Sequence, residues 1–152
     1  MIEKWNLTIP QLTGDVERKA YVYVPDEWEE GSEERYPVLY MFDGHNVFFD
    51  EDATYGKSWG MAEFLEEVQP PLIIAAVECN RSPDNGRLRE YSPFTFDDPK
   101  FGHVAGRGHT TMEWLVKEFK PYIDDHFIAR NLSPGGCADL LAVTYFLHSL
   151  EG

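Results

Sequence analysis

Two short runs of almost unbroken apolar residues constrain this chain most. Residues 36–42 read YPVLYMF and residues 72–77 read LIIAAV. Runs of this length, bounded by Asp43-Gly44 on one side and Pro70-Pro71 on the other, suit strands covered on both faces. Between them, residues 58–68 (SWGMAEFLEEV) place apolar side chains at helical spacing, with Ser58 as the expected cap. Strand, helix, strand implies a parallel pair.

The flanking segments extend the pattern. Residues 4–8 are expected to form a first short strand. Residues 18–24 (RKAYVYV) alternate as a half-buried strand and suit an antiparallel edge. Residues 26–35 (DEWEEGSEER) read as a charged surface turn. Residues 78–108, which hold Gly, Pro, Asn and Asp, read as a long irregular segment. Residues 110–127 read as a helix capped by Thr110 or Thr111, with Trp114, Leu115, Phe119, Tyr122 and Ile123 as its apolar stripe and a kink at Pro121. The fold class expected is α/β: a sheet with an antiparallel start followed by parallel strands, with flanking helices. Ligand sites in such sheets gather beyond the C-terminal ends of the parallel strands. Those ends are residues 43–46 and 78–81.

Composition narrows the partners. The 152 residues carry 27 acidic and 13 basic side chains, a net charge of −14, which disfavours nucleic acid and anionic membrane surfaces. No stretch approaches the ~20 apolar residues that span a bilayer. The first residues show no apolar signal core, and Cys79 and Cys137 have no redox or metal spacing. A cytoplasmic location, no metal and no cofactor are the expectations.

The blocks YPVLYMFDGHNVFFDEDATYGKSWGMAEFL and LIIAAVECNRSPDNGRLREYSPF, then G-R-G and MEWLVKEFKPYIDDHF, resemble the N-terminal half of an esterase family of α/β-hydrolases. That family contains enterochelin esterases, feruloyl esterases and mycolyltransferases. The resemblance runs from about residue 19 to residue 127. It implies a carboxylic-ester hydrolase acting on a small-molecule ester, with a serine nucleophile on a strand-to-helix turn and acid and histidine partners later in the chain. It also implies an oxyanion donor at the residue after the D-G pair, here the backbone amide of His45. The residues agree: Gly44 permits a tight turn with positive φ after Asp43, aiming the next N–H into the crevice. Asp43, Gly44 and Arg89 are carried as substrate-binding candidates. Arg87 or Arg89 could contact an anionic group, although pairing with neighbouring carboxylates is the favoured reading.

Ser133, in S-P-G-G, is the weak candidate nucleophile. Four observations weigh against it. Only five residues, 128–132, separate it from the helix; a chain that short, even fully extended, reaches ~20 Å and leaves almost nothing for a turn. Those residues (IARNL) include an Arg-Asn pair unsuited to a buried strand. Asn131 stands where the usual pattern has glycine. Pro134 follows, and proline has no N–H to serve as the second oxyanion donor. The single histidine after Ser133 is His148, ~22 Å away along a helix. Residues 1–127 are therefore expected to be the N-terminal half of an α/β-hydrolase domain, truncated and inactive as this chain. Residues 128–152 are expected to be a divergent tail, helical at 137–150, left by a frame shift or a deletion. The alternative is a small acidic non-catalytic binding or interaction domain derived from the same fold. An open sheet edge, left at residues 72–77 by the missing strand, is expected to promote self-association.

Overall fold

The computed structural model describes residues 1–30 and 33–128. Ser133, Pro134, His148 and the expected helix at 137–150 lie outside the described residues.

Four strands form the main sheet: β1 (Ile2–Thr8), β2 (Glu17–Tyr23), β3 (Val38–Met41) and β4 (Ile73–Val77), in the order β1-β2-β4-β3. β1 pairs antiparallel with β2, β2 antiparallel with β4, and β3 parallel with β4. The expected sheet, antiparallel first and parallel after, is present. A four-residue helix α1 (Pro10–Thr13) joins β1 to β2.

Alternation along β4 builds two cores. Ile73, Ala75 and Val77 face one side with Ala20 and Val22 of β2 and Val38 and Tyr40 of β3. Ile74 and Ala76 face the other with Tyr21 and Tyr23. Every residue of β4 is buried, which is why its sequence is continuously apolar. The first core is covered by a helix over residues 108–128, and the second by α2 (Gly44–Val47) and α3 (Met61–Val68).

Three expectations about edges need correction. β2 is interior rather than an edge. Tyr21 and Tyr23 look polar in the alternation but are fully buried, their hydroxyls bonded to Asp52 and Gln69. Residues 72–77 have no open edge, because β4 lies between β2 and β3. Among the described strands the outermost on the parallel side is β3, shorter than the apolar run implied.

The segment 78–108 is not irregular throughout. It holds α4 (Gly86–Tyr91) and a hairpin of β5 (Phe96–Asp98) and β6 (Gly102–Val104). The G-R-G stretch then presses on the preceding loop: a Cβ on Gly106 would lie 2.2 Å from the Phe94 carbonyl oxygen.

Helix caps differ as well. α3 starts at Met61, not Ser58; the Ser58 hydroxyl instead accepts the Gly60 N–H at 3.2 Å. The long helix starts as α5 (Gly108–Trp114), uncapped by threonine, because Thr111 Oγ1 donates to the Glu90 and Arg107 carbonyls. The backbone widens into a π-turn at Leu115–Phe119 before α6 (Lys120–Ile123), and again at Asp124–Ile128. The first wide turn ends just before Pro121, which has no N–H to give the turn before it. The helix is thereby re-registered, and Phe119 and Ile123 stay buried. Tyr122 falls off the expected stripe and stacks on Trp5 at 5.6 Å between ring centroids.

A buried ion pair joins these layers. Arg18 of β2 and Glu90 of α4, 3% and 2% exposed, are in direct contact. Asp52 does similar work on the other side, accepting from Lys19 (2.7 Å), the Tyr21 hydroxyl (2.8 Å) and Lys4 (3.0 Å).

Arg18→Met leaves the Glu90 carboxylate buried without its cation and is expected to cost about 3–5 kcal/mol in urea unfolding. Arg18→Met with Glu90→Gln should recover part of that loss. Burial pushes the Asp52 carboxyl up, but its three donors hold it below the ordinary 3.8. Its contribution is therefore present above the unfolded value and is lost as pH falls through the folded one. Melting temperature should drop more steeply below about pH 4 in wild type than in Asp52→Asn.

Candidate active-site crevice

β3 and β4 are parallel, so the turns that follow them open on one end of the sheet. Asp43, Gly44 and His45 follow β3; Glu78, Cys79 and Asn80 follow β4. Together with α4 they border an open crevice of about 750 Å³ whose lining includes Asp43, His45, Cys79, Arg87, Trp59 and Phe101. A smaller hollow of about 390 Å³ lies against Met1, Tyr23 and Gln69 and holds no histidine, cysteine, lysine or arginine side chain.

The D-G turn works differently from the expectation. Asp43, not Gly44, takes the left-handed conformation, at φ 55° and ψ 42°. Gly44 is required by space. A Cβ there would sit 2.9 Å from the Val77 backbone nitrogen and 3.0 Å from Tyr21 Cδ2. The turn is thus pressed directly on the ends of β2 and β4. His45 follows in the first turn of α2, where helical N–H groups have no intrahelical partner.

Asp43 is the best-held group in the crevice. Arg87 donates to it from Nε (3.0 Å to Oδ1) and Nη2 (2.6 Å to Oδ2), and the Tyr91 hydroxyl donates to Oδ1 at 3.1 Å. The Asp43 N–H in turn reaches the Tyr91 oxygen at 3.3 Å. A side chain that binds its own turn from two directions offsets the strain of a left-handed aspartate. Burial raises the Asp43 carboxyl, and the Arg87 guanidinium outweighs it, so the group stays below the usual carboxylate range. Tyr91 is pushed well above the usual phenol value by burial and then by the Asp43 charge, so it remains a donor.

His45 is 2% exposed. Its Nε2 lies 3.1 Å from Thr54 Oγ1, while Nδ1 is buried with no hydrogen-bond partner among the described residues. Burial lowers its basicity, so the ring is neutral at neutral pH. The Cys79 thiol is pushed up to about 12, by burial first and by the Asp43 charge second. It is therefore no thiolate nucleophile.

Of the sequence candidates, the structure brings together Asp43 and His45 in the crevice and sets Gly44 beneath the turn. Arg89 is not in the lining; it bonds Asp84 at 3.0 Å and Ser82 at 3.3 Å. Arg87, the other arginine weighed, is the one on Asp43. Sequence reasoning missed Tyr91, Glu90 and Cys79. The signal for the first two was in R-x-x-E-Y, whose spacing on a helix turns Arg87 and Tyr91 to one partner while Glu90 reaches another.

Solved structures share this architecture. An IroE-like serine hydrolase from Shewanella oneidensis is similar at TM-score 0.57 and 22% identity, over 84% of this chain and 39% of that one. BES protein from Bacillus cereus is similar at TM-score 0.50 and 21% identity, over 84% and 47%. The described residues have an α/β-hydrolase-like fold. The chain spans less than half the length of either structure.

A second likeness concerns the other end. A family model described as CitG: ATP:dephospho-CoA triphosphoribosyl transferase matches residues 108–152. A probable 2-(5''-triphosphoribosyl)-3'-dephosphocoenzyme-A synthase 1 from Salmonella typhi is 67% identical over 30 residues, which are 20% of this chain and 10% of that protein. The corresponding synthase of Escherichia fergusonii is 83% identical over 24 residues, 16% of this chain and 8% of that protein. The matched stretch begins within the helix that covers the sheet. Among the described residues no helix is long and apolar enough to cross a membrane.

Gly44→Ala is expected to destabilise the chain by about 1–3 kcal/mol, since the new methyl meets strand backbone rather than a movable side chain. Chemical denaturation of the purified variant measures it.

Proposed function

We propose that the described residues form the oxyanion half of a carboxylic-ester hydrolase site, and that this chain binds a small ester without hydrolysing it at enzymatic rates. The observation that supports the reading is the Asp43 turn, held by Arg87 and Tyr91 and leading directly to His45, a residue that lines the crevice where two parallel strands end. An ester carbonyl oxygen gathers negative charge when attacked, and a fixed N–H at that point is worth roughly 3–4 kcal/mol in a complete enzyme. Arg87 is engaged with Asp43, so the turn enters the reaction already held.

The chemistry that should complete the site has no support in the described residues. The Cys79 thiol is protonated, the hydroxyl that His45 meets among the described residues is that of Thr54, and Ser133 is followed by a proline. The likeness of residues 108–152 to a transferase model bears on the tail. A stretch read in a shifted frame has no reason to match a family, so we favour a tail drawn from that second family over a frame shift.

The alternative, a small acidic non-catalytic interaction domain, uses the same crevice without a nucleophile. The solved neighbours favour the ester reading, since one of them is an IroE-like serine hydrolase.

With a short-chain p-nitrophenyl ester, wild type and Ser133→Ala should release nitrophenol at the same near-background rate. Turnover abolished by Ser133→Ala would show the chain to be a working hydrolase. In a 15N-labelled sample, adding a short-chain alkyl ester should move the His45 amide resonance; a shift elsewhere with His45 unmoved favours the interaction domain.

A further inference from the structure

The crevice brings together three side chains whose chemistry the ester reading does not use as a set. Ligand atoms of Asp43, His45 and Cys79 all lie within 4.8 Å of one another, and all three residues are buried. We propose that they form a binding site for one borderline-soft divalent ion of the Zn²⁺ type, ligated by Cys79 Sγ, His45 Nδ1 and one Asp43 carboxylate oxygen. The proposal goes beyond the ester reading and does not rest on it, because it uses side-chain atoms where that reading uses the His45 amide.

The donor set argues for the ion class. Thiolate and imidazole together select Zn²⁺, Co²⁺ and their neighbours over Mg²⁺ or Ca²⁺, which prefer oxygen. Three protein ligands with a fourth position open to solvent match a tetrahedral site of the exchangeable kind. Metal–ligand bonds of ~2.0–2.3 Å put tetrahedral donors ~3.3–3.8 Å apart, so the three groups need close by only about 1 Å.

An independent observation points the same way. Nδ1 of His45 is buried and unpartnered, which is costly unless something binds it. Thr54 Oγ1, 3.1 Å from Nε2, fixes the ring and leaves Nδ1 as the free lone pair, the second contact that ligating histidines ordinarily make. On Asp43, three donors reach the carboxylate: Arg87 Nε, Arg87 Nη2 and the Tyr91 hydroxyl. Arg87 Nε shares its one proton between the two oxygens, at 3.0 Å and 3.2 Å, so three protons meet the about four lone-pair sites of the carboxylate and room for the ion is left. The Arg87 charge opposes a dication, and Asp43 is accordingly the weakest of the three ligands.

The test uses Co²⁺ as probe on the full chain after chelator treatment and dialysis. Wild type should show a thiolate-to-Co²⁺ charge-transfer band with tetrahedral d–d bands, saturating at one ion per chain. The sequence holds only two cysteines, so Cys137→Ala leaves Cys79 as the sole thiol. This variant should keep the band unchanged, and the assignment then needs no Cys79 variant that might fail to fold. His45→Gln should weaken Co²⁺ binding by about tenfold or more. A folded wild type without the band, loss of the band in Cys137→Ala, or unaltered affinity in a folded His45→Gln would each overturn the proposal. If His45→Gln does not fold, the 15N resonance of the His45 side chain in wild type decides: a Co²⁺-induced shift at Nδ1 sustains the ligand, and none removes it.

Discussion

The Arg18–Glu90 pair is the contact on which the rest of this architecture depends. Its two charges are almost wholly withdrawn from water. Such a pair is stabilised by further hydrogen bonds to its remaining donors and acceptors. Glu90 takes the Asn80 N–H at 2.6 Å, and Arg18 reaches the Glu78 carbonyl and Thr13. The Glu90 carbonyl also accepts from Thr111. One pair thus ties β2, the turn after β4, α4 and the start of the covering helix. Because α4 is held this way, Arg87 and Tyr91, on the same short helix, arrive at Asp43. The geometry of the crevice is a consequence of a buried ion pair outside it.

Where the sequence was legible, the reason was burial on two faces. LIIAAV reads as a strand because both faces of β4 are covered, and no polar residue is tolerated there. YPVLYMF was misleading in extent. Its apolar side chains run beyond the strand, and Val38–Met41 are the residues that pair with β4. RKAYVYV misled in the opposite sense, because a tyrosine counts as polar in a pattern yet buries fully once its hydroxyl has an acceptor. The caps failed as predictions for a shared reason: Ser58 and Thr111 spend their hydroxyls on tertiary contacts, which no local pattern reveals.

The candidate site was legible as a place and not as a mechanism of support. Asp43, Gly44 and His45 were found from their position at a strand end, but the roles of the first two were exchanged. Glycine suggested positive φ, whereas the steric contact with Val77 and Tyr21 is what excludes a side chain, and the aspartate bears the left-handed turn. Such a contact joins residues 33 positions apart, beyond what a local reading can see. The helical phase of R-x-x-E-Y could have been read, since Arg87 and Tyr91 are four apart, had residues 78–108 not been taken as a loop.

The position of Phe127 bears on catalysis. The Phe127 carbonyl accepts from Trp28 Nε1 at 2.9 Å, and the two rings lie 5.9 Å apart. Trp28 follows the C-terminal end of β2, and β2 runs antiparallel to β4. Phe127 therefore sits by the N-terminal ends of β3 and β4, a strand's length of ~17 Å from the crevice. A nucleophile supplied by later residues must first cross from that end of the sheet to the crevice. Ser133 stands six positions beyond Phe127, which spans that length only if nearly every residue is extended.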